Sequence, residues 1–348
     1  MKIILAFDKF KGCLTASEVC STVAEAIHRL SDGQMNVISM PMSDGGDGMQ
    51  EILDAIEPSG ATTFIETARW CGLSQLPPDK RNPAKTSTYP LGQAIASAVA
   101  SGSRHIVVGL GGSSTNDAGA GMLQALGCKF LDRSGRLITE HICGELLPEV
   151  AAVDFSAPLP GLAQTKFTAI CDVDSPLFGP TGAAYVFAPQ KGASPDMVKM
   201  LDSGLRHFAE VAGDALADHP GDGAAGGLGY AFRLFLKAEL IPGIDYIMRA
   251  YRFDDALAGA DLVITGEGRS DAQTLMGKVP MGVLRHAQAH GVPTCLMSGS
   301  ISNPDAFLRA GFSHAVAVTP PDMPLSEALN PDVARRNLRA AVMRMATS

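Results

Sequence analysis

Short apolar segments alternate along this chain with longer segments whose apolar positions recur every three or four residues. The first pattern predicts buried strands and the second predicts amphipathic helices. Strands are predicted at residues 3–7, 37–40, 62–67, 106–110, 166–173, 261–265, 294–297 and 314–318. The first helix is predicted to begin at Ala16, behind a capping box formed by Thr15 and Glu18. Strands that alternate with helices indicate parallel sheet, and therefore the α/β class.

The middle of the chain is less regular than its two ends. It contains a predicted hairpin at 129–139, a predicted strand at 183–188, a predicted helix at 195–211 and a glycine-rich entry to an apolar helix at 220–236. Because both ends share the strand–helix alternation, we predict a Rossmann-like parallel-sheet domain built from residues 1–66 and 258–348. Residues 67–257 are predicted to form an inserted second α/β domain, with the active cleft between the two.

A glycine-rich turn follows the predicted strand that contains Val107 and Val108. Glycines let the backbone approach a ligand closely, the first N–H groups of a helix lack partners, and hydroxyl groups add donors. The turn therefore predicts an anion cradle, most simply for phosphate, formed by Gly111, Gly112, Ser113, Ser114, Thr115, Asn116 and Asp117. Two structural alternatives stand beside it: the glycines could serve only to reverse the chain, and Asp117 could cap the following helix.

Charged side chains follow several predicted strands, at the edge where open parallel sheets bind ligands. They are Asp8 with Lys11, Asp44, Asp172, Glu267 with Arg269 and Asp271, and Lys278 farther along the last of these loops. Carboxylates that hold Mg²⁺ or accept a proton, cations that spread phosphoryl charge and a glycine cradle together favour phosphoryl transfer. Structural alternatives again exist, since Asp44 could cap the next helix and Lys278 could be a surface lysine. The nearby Asp47 and Asp174 are interpreted as structural.

Composition narrows the classes of function. The 348 residues are 46% hydrophobic and 18% charged, which suits about two packed domains. A formal net charge of −8 argues against nucleic acid as a partner, and no apolar run reaches the roughly 18–20 residues of a membrane span. Seven cysteines without a CxxC pair indicate reduced thiols, and the first apolar segment is too short for a signal peptide. A cytoplasmic protein is therefore expected. The eight histidines show no HxH or HExxH spacing, so no zinc site is expected.

Six segments, taken in order, resemble the motifs of the type I glycerate kinases, the bacterial family that phosphorylates D-glycerate with ATP. They span residues 8–18, 41–47, 111–117, 189–193, 223–229 and 264–271. The resemblance implies two α/β domains with the active cleft between them, a Mg²⁺-nucleotide, 2-phosphoglycerate as the usual product, and a site lined by the matching positions.

The leading hypothesis is therefore an ATP-dependent glycerate kinase that uses Mg²⁺. Asp44 or Asp172 is expected to accept the proton of the glycerate hydroxyl. The carboxylate or phosphate charge is expected to bind Lys11, Arg269 or Lys278, and the candidates for Mg²⁺ are Glu267 and Asp271. D-glycerate and the nucleotide are the expected partners, and a homodimer is one assembly that the sequence permits.

Two places depart from the family pattern. The chain runs directly from Gly72 to Leu73, where family members carry a further segment, so either the second domain is shortened near Gly72 or a mobile stretch is missing from the printed sequence. Pro90 stands where the family usually has glycine, which removes an N–H donor and the freedom of φ. Two other functions stay open: a catalytically silent protein that binds glycerate or nucleotide, and a kinase of the galactokinase and homoserine kinase type.

Overall fold

The computed structural model describes residues 1–43, 45, 48–57 and 62–347. Its strands are β1 (Lys2–Phe7), β2 (Asn36–Ser39), β3 (Thr62–Glu66), β4 (His105–Gly109), β5 (Lys129–Leu131), β6 (Ala152–Asp154), β7 (Lys166–Ile170), β8 (Glu239–Ile241), β9 (Leu262–Gly266), β10 (Arg269–Ser270), β11 (Thr294–Ser298), β12 (Ser300–Ile301) and β13 (His314–Ala317). Its α-helices are α1 (Ala16–Leu30), α2 (Met49–Ile56), α3 (Thr67–Cys71), α4 (Tyr89–Ala100), α5 (Ala120–Ala125), α6 (Ala183–Phe187), α7 (Pro195–Val211), α8 (Ala224–Leu236), α9 (Gly243–Tyr251), α10 (Phe253–Leu257), α11 (Val279–Ala289), α12 (Pro304–Ala310), α13 (Leu325–Ala328) and α14 (Pro331–Thr347).

Residues 1–56 and 244–348 form the first of two compact units. Its main sheet has the strand order β13-β11-β9-β1-β2, and every neighbouring pair is parallel. The helix α1 packs on this sheet and against α14, and its buried stripe includes Val19 and Val23. The predicted capping box is confirmed, because Thr15 accepts the Glu18 N–H and the Glu18 carboxylate accepts the Thr15 N–H.

Residues 57–243 form the second unit. Its main sheet has the order β3-β4-β7-β8, again with parallel neighbours, and β5 and β6 form a separate antiparallel pair. The core of this unit contains Ile106 and Val108 of β4, together with Phe208 of α7 and Phe232 of α8. The α/β class with parallel sheets, predicted from the alternation of strands and helices, is confirmed.

The boundaries between the units differ from those placed at 66/67 and 257/258 on the sequence. The chain divides at 56/57 and at 243/244. The first difference arises because β3 pairs with β4 over its whole length, which places residues 62–66 in the second unit. The second arises because Ile244 lies against Gly282 of α11, which places α9 in the first unit.

Two element predictions were wrong. Residues 183–187 form the helix α6 and not a strand, because a short apolar run does not distinguish a buried strand from a buried helix. The predicted hairpin partner of β5 contributes only an isolated bridge between Leu131 and Leu137, and the main partner of β5 is β6. None of the described helices has the length and hydropathy that a membrane crossing needs. All seven cysteines are free thiols, and five are buried, as expected for small core residues.

Candidate active site

The predicted anion cradle follows β4 and is open only at its first two residues. Gly111 and Gly112 are exposed, whereas the next five residues are each at most 4% exposed. A Cβ atom on Gly111 would meet nothing within 4 Å, and Gly112 adopts a left-handed φ of +72°. The glycine pair is therefore the part of the turn that a ligand can reach directly.

Backbone contacts with the end of α3 hold this turn in place. The carbonyl oxygen of Cys71 accepts both the backbone N–H of Ser114, at 2.8 Å, and its hydroxyl, at 2.9 Å. The N–H of Leu73 donates to the carbonyl of Gly112 at 2.8 Å. The hydroxyl of Ser114, expected to donate to an anion, is thus used inside the protein.

Asp117 is fully buried and has a structural role. Its Oδ2 accepts the N–H and the hydroxyl of Thr88, both at 2.8 Å, and its Oδ1 accepts the N–H of Gly119 at 3.2 Å. Burial raises the pKa of this carboxyl, while these hydrogen bonds oppose the rise. Because Thr88 immediately precedes α4, Asp117 fixes the start of α4. The alternative considered on the sequence was a cap on the following helix, whereas the helix that Asp117 anchors through Thr88 lies earlier in the chain.

Lys191 lies beneath the turn, and sequence reasoning did not single it out. Its Nζ donates to Ser113 Oγ at 2.9 Å and to the carbonyl oxygen of Thr115 at 2.8 Å. The residue is 3% exposed, and this burial lowers its pKa to about 8, against the opposing influence of Cys71 and Asp117. Lys191 lies in the segment 189–193, which resembles a family motif, but none of its neighbours in the sequence indicates that the lysine is buried.

The glycine-rich segment at the start of α8 packs against residues 115–118 of the turn. Ala225, Gly226 and Gly227 all have left-handed backbone angles, so the regular helix begins only after them. The N–H of Ala118 donates to the carbonyl of Gly226 at 3.0 Å. A Cβ atom on Gly226 would overlap with the carbonyl oxygen of Thr115, so the close approach of the two backbones requires glycine there.

A partly buried ion pair flanks this glycine segment. Arg233 of α8 binds Asp222 through two nitrogens, with Nε–Oδ1 at 2.6 Å and Nη2–Oδ2 at 2.7 Å. Its Nη2 also lies 2.7 Å from Asp214 Oδ2. Burial raises the pKa of Asp222, and the Arg233 guanidinium opposes this rise. The ion pair joins the beginning of the left-handed segment to the helix that follows it.

Several buried polar atoms in and beside the turn have no hydrogen-bond partner among the described residues. They are the two amide atoms of Asn116, the hydroxyl of Thr115 and the hydroxyl of Thr67 in α3. Each of these three residues is fully buried. Because buried polar groups in proteins are normally paired, these atoms are candidates for contacts with water or ligand.

Of the two base candidates, one lies outside the described residues. That residue is Asp44, and Asp47 is likewise outside them. Asp172 follows β7 and is exposed. Its Oδ1 accepts the N–H of Gly243 at 2.9 Å, where α9 begins. The assignment of the base therefore stays a prediction.

Asp8 and Lys11 line one pocket in the first unit. The pocket has a volume of about 270 Å³, and Thr15, Ser43 and Glu51 also contribute to its wall. Asp8 is buried, and its Oδ1 accepts the N–H of Lys9 at 2.7 Å. Asp8 and Lys11 thus share a pocket, and their role in binding substrate or phosphate stays a prediction.

Glu267 follows β9 and is the more enclosed of the two predicted metal ligands. It is 8% exposed, and its Oε1 accepts the hydroxyls of Ser270 and Thr274. Burial raises its pKa, opposed by the Thr274 hydroxyl and then by the charge of Lys278. That lysine immediately precedes α11 and is half-buried.

Asp271 is already engaged by its own loop. Its Oδ1 accepts the N–H of Gln273 at 2.9 Å, and its Oδ2 lies 3.5 Å from Nε of the exposed Arg269. Within the described ranges, no group of three or more histidine, cysteine, aspartate or glutamate residues is arranged to hold a metal ion.

The model of the glycerate kinase family matches residues 3–59 and 55–348, which is almost the whole chain. The chain belongs to the glycerate kinase family. Membership makes it an enzyme, a phosphotransferase with an alcohol group as acceptor. Membership also excludes the alternative in which the glycine turn belongs to a kinase of the galactokinase and homoserine kinase type.

Individual glycerate kinases are similar to this chain over most of its length. A glycerate kinase of Bacillus subtilis strain 168 is 40% identical over 357 aligned positions, covering 94% of this chain and 93% of the relative. A glycerate 2-kinase of Escherichia coli K12 is 39% identical over 332 positions, covering 87% and 86%. The crystal structure of a Salmonella typhimurium LT2 protein assigned as glycerate kinase 2 has 35% identity and a TM-score of 0.88, covering 100% of this chain and 97% of that chain.

The two parts of the family match overlap at residues 55–59, and the second part includes Gly72 and Leu73. Gly72 forms a bridge with Ser113, and the N–H of Leu73 donates to the carbonyl of Gly112. The shortening of the second domain near Gly72 stays a prediction. Pro90 lies in the first turn of α4, where a missing N–H removes no hydrogen bond within the helix.

Proposed function

We propose that this chain transfers the γ-phosphoryl group of ATP to the 2-hydroxyl of D-glycerate, forming 2-phosphoglycerate, with Mg²⁺ bound to the nucleotide. The observation that carries the proposal is the open Gly111–Gly112 pair above the buried ammonium group of Lys191. Backbone N–H groups and a fixed positive charge are what a transferring phosphoryl group needs. The name of the Escherichia coli relative, glycerate 2-kinase, supports the choice of hydroxyl.

The remaining roles are distributed over both units. Lys11, in the pocket with Asp8, is suited to bind an anionic oxygen of substrate, and Arg269 and Lys278 offer further positive charge near Glu267. Asp44 or Asp172 takes the proton from the attacking hydroxyl. The prediction that these groups share one cleft stays a prediction.

The chemistry of Glu267 fits a Mg²⁺ ion bound to phosphates. Mg²⁺ commonly takes one or two protein carboxylates and completes its shell with phosphate oxygens and water, so a cluster of three protein ligands is not required. Glu267 is a nearly buried carboxylate that is oriented by two hydroxyls and disfavoured as an anion by its burial, a cost that a cation would relieve. Glu267 would hold the ion, with Asp271 as the second candidate, and the ion would neutralise charge on the phosphates.

The cellular setting is proposed from the thiols and the charge. Seven free cysteines support the cytoplasm as the location, because thiols stay reduced there. The net charge of −8 supports small molecules and not nucleic acid as partners. A homodimer stays a prediction.

Phosphorus NMR of the reaction mixture tests the proposal in one step. With D-glycerate, ATP and Mg²⁺, we expect a new phosphomonoester signal that is a doublet, because the phosphorus of 2-phosphoglycerate couples to the single proton on C2. The signal should be absent when EDTA replaces Mg²⁺. A triplet would instead identify the C3 ester and refute the 2-hydroxyl. If no phosphomonoester forms while D-glycerate or ATP still raises the Tm, the catalytically silent alternative is correct.

A further inference from the structure

We infer that the buried ammonium group of Lys191 positions the Gly111–Gly112 turn and supplies the countercharge for the anion that binds there. The inference rests on the proposed phosphoryl transfer and adds to it the residue that sets the affinity of that turn for anions. The shared chemistry is an anionic oxygen, which either a nucleotide phosphate or the carboxylate of the hydroxy acid can provide.

The hydrogen bonds of Lys191 do not pair its ammonium group with an anion. Both of its hydrogen-bond acceptors are neutral: the hydroxyl of Ser113 and the carbonyl of Thr115. Within the part of the chain that the structure describes, Lys191 forms no salt bridge. Asp117 acts on the ammonium group only electrostatically, without a hydrogen bond, and opposes the fall in its pKa. A buried ammonium group that is not bonded to an anion is unfavourable, and an anion bound at the adjacent turn would offset that cost.

The position of Lys191 also ties its side chain to the shape of the turn. Ser113 and Thr115 bracket Ser114, whose backbone and hydroxyl are already bonded to Cys71. Lys191 therefore bonds to the two residues on either side of Ser114, while Ser114 itself bonds to the end of α3. The lysine itself follows α6 in a short helical turn, and the next residue, Gly192, lies against the backbone of Arg81.

Two titratable groups act on this lysine from the elements around it, Cys71 and Asp117. Burial raises the pKa of Cys71 to about 12, so its thiol stays protonated where Lys191, with a pKa of about 8, loses its proton. Asp117 is the remaining group that could make anion binding depend on pH. A variant that lacks only the amine of Lys191 separates the contribution of Asp117 from that of the lysine.

The direction of the pH effect follows from linkage. An anion stabilises the charged lysine and so raises its pKa in the complex. The affinity should therefore be constant below about pH 8, and above it should fall by up to about tenfold per pH unit until the pKa of the complex is reached.

Isothermal titration calorimetry with the full chain tests the inference, with inorganic tripolyphosphate and D-glycerate as separate probes. The variant is Lys191→Met, which keeps an unbranched side chain without charge. The matched control is Lys199→Met, which removes an exposed lysine of α7 in the same unit. We expect wild type and control to bind one probe about tenfold more weakly at about pH 9.5 than at about pH 7. Lys191→Met should bind it at least about tenfold more weakly at about pH 7, with no further loss on raising the pH.

The probe that responds identifies the source of the anion: tripolyphosphate indicates the nucleotide and D-glycerate indicates the acid. The inference is overturned if Lys191→Met keeps the wild-type affinity and pH dependence for both probes, as it would if Asp117 were the titrating group. Should the variant not fold, proton uptake by wild type decides, measured at about pH 8.5 in buffers of different ionisation enthalpy. Uptake on binding supports the inference, and its absence refutes it.

Failure of the proposed function would look different. If wild type forms no phosphoglycerate but binds a probe with the expected dependence on Lys191, the function is wrong and the anion site stands. If wild type is active and Lys191→Met changes neither KM nor its pH profile, the function stands and the inference about Lys191 is wrong.

Discussion

Loss of the catalytic base is expected to lower kcat by about two to four orders of magnitude, with little change in KM. Asp44 and Asp172 are the candidates for that role. The expected result is that Asp44→Asn or Asp172→Asn has this effect, because an amide cannot take the proton of the attacking hydroxyl. Steady-state kinetics with saturating D-glycerate and MgATP measure it directly.

Asparagine suits Asp172 because it separates basicity from structure. The Oδ1 atom of Asp172 accepts the N–H of Gly243 at the start of α9, and an amide oxygen can accept the same hydrogen bond. Asp172→Asn can therefore keep this hydrogen bond, and urea unfolding measures what the substitution does to the free energy of unfolding. A large loss of kcat in a protein of nearly unchanged stability would then report on chemistry and not on folding.

Two neighbouring aspartates provide matched controls. Asp174→Asn makes the same change of charge two residues from Asp172, and Asp47→Asn does so three residues from Asp44. Both controls should retain most of the wild-type turnover. Full turnover in both Asp44→Asn and Asp172→Asn would show that neither residue is the base. A similar loss of kcat in a control variant and in the variant it is matched to would mean that the negative charge of the turn matters, and not one particular carboxylate.

The parts of the fold that could be predicted from the sequence depend on neighbouring residues. The strand β1 is a single apolar run, and α1 begins with a capping box whose two members lie three residues apart. Both predictions were confirmed because the interactions that specify them are local. The apolar run at 183–187 is equally local, but its pattern is shared by strands and helices, and there the prediction was wrong.

The parts that could not be predicted depend on partners far away in the chain. Asp117 bonds to Thr88, 29 residues earlier, and Lys191 bonds to Ser113, 78 residues earlier. The glycine turn was identifiable from its composition, yet the burial of its hydroxyls and the lysine beneath it follow from how α3, α4 and the 189–193 segment assemble. A residue type shows what chemistry is available, and only the tertiary contacts decide whether a carboxylate supports the backbone or faces a ligand.

Gly226→Ala is expected to destabilise the protein by about 2–5 kcal/mol and to lower kcat/KM as well. The first contribution is backbone strain, because Gly226 has a φ of +74°, and an alanine there costs about 1–2 kcal/mol. The second is overpacking, because the new Cβ atom would overlap with the carbonyl oxygen of Thr115, which typically adds about 1–3 kcal/mol. That carbonyl oxygen also accepts a hydrogen bond from the ammonium group of Lys191, so a shift of the carbonyl should weaken anion binding at the turn.

Gly135→Ala separates the two contributions. Gly135 has a similar φ of +77°, but a Cβ atom there would meet nothing within 4 Å, so only the strain of about 1–2 kcal/mol is expected. Urea unfolding of both variants measures the difference, and kinetics should show a loss of kcat/KM for Gly226→Ala alone. Equal destabilisation of the two variants would mean that Thr115 can move aside without cost. The close packing of the glycine segment against the turn would then not be what keeps the turn in place.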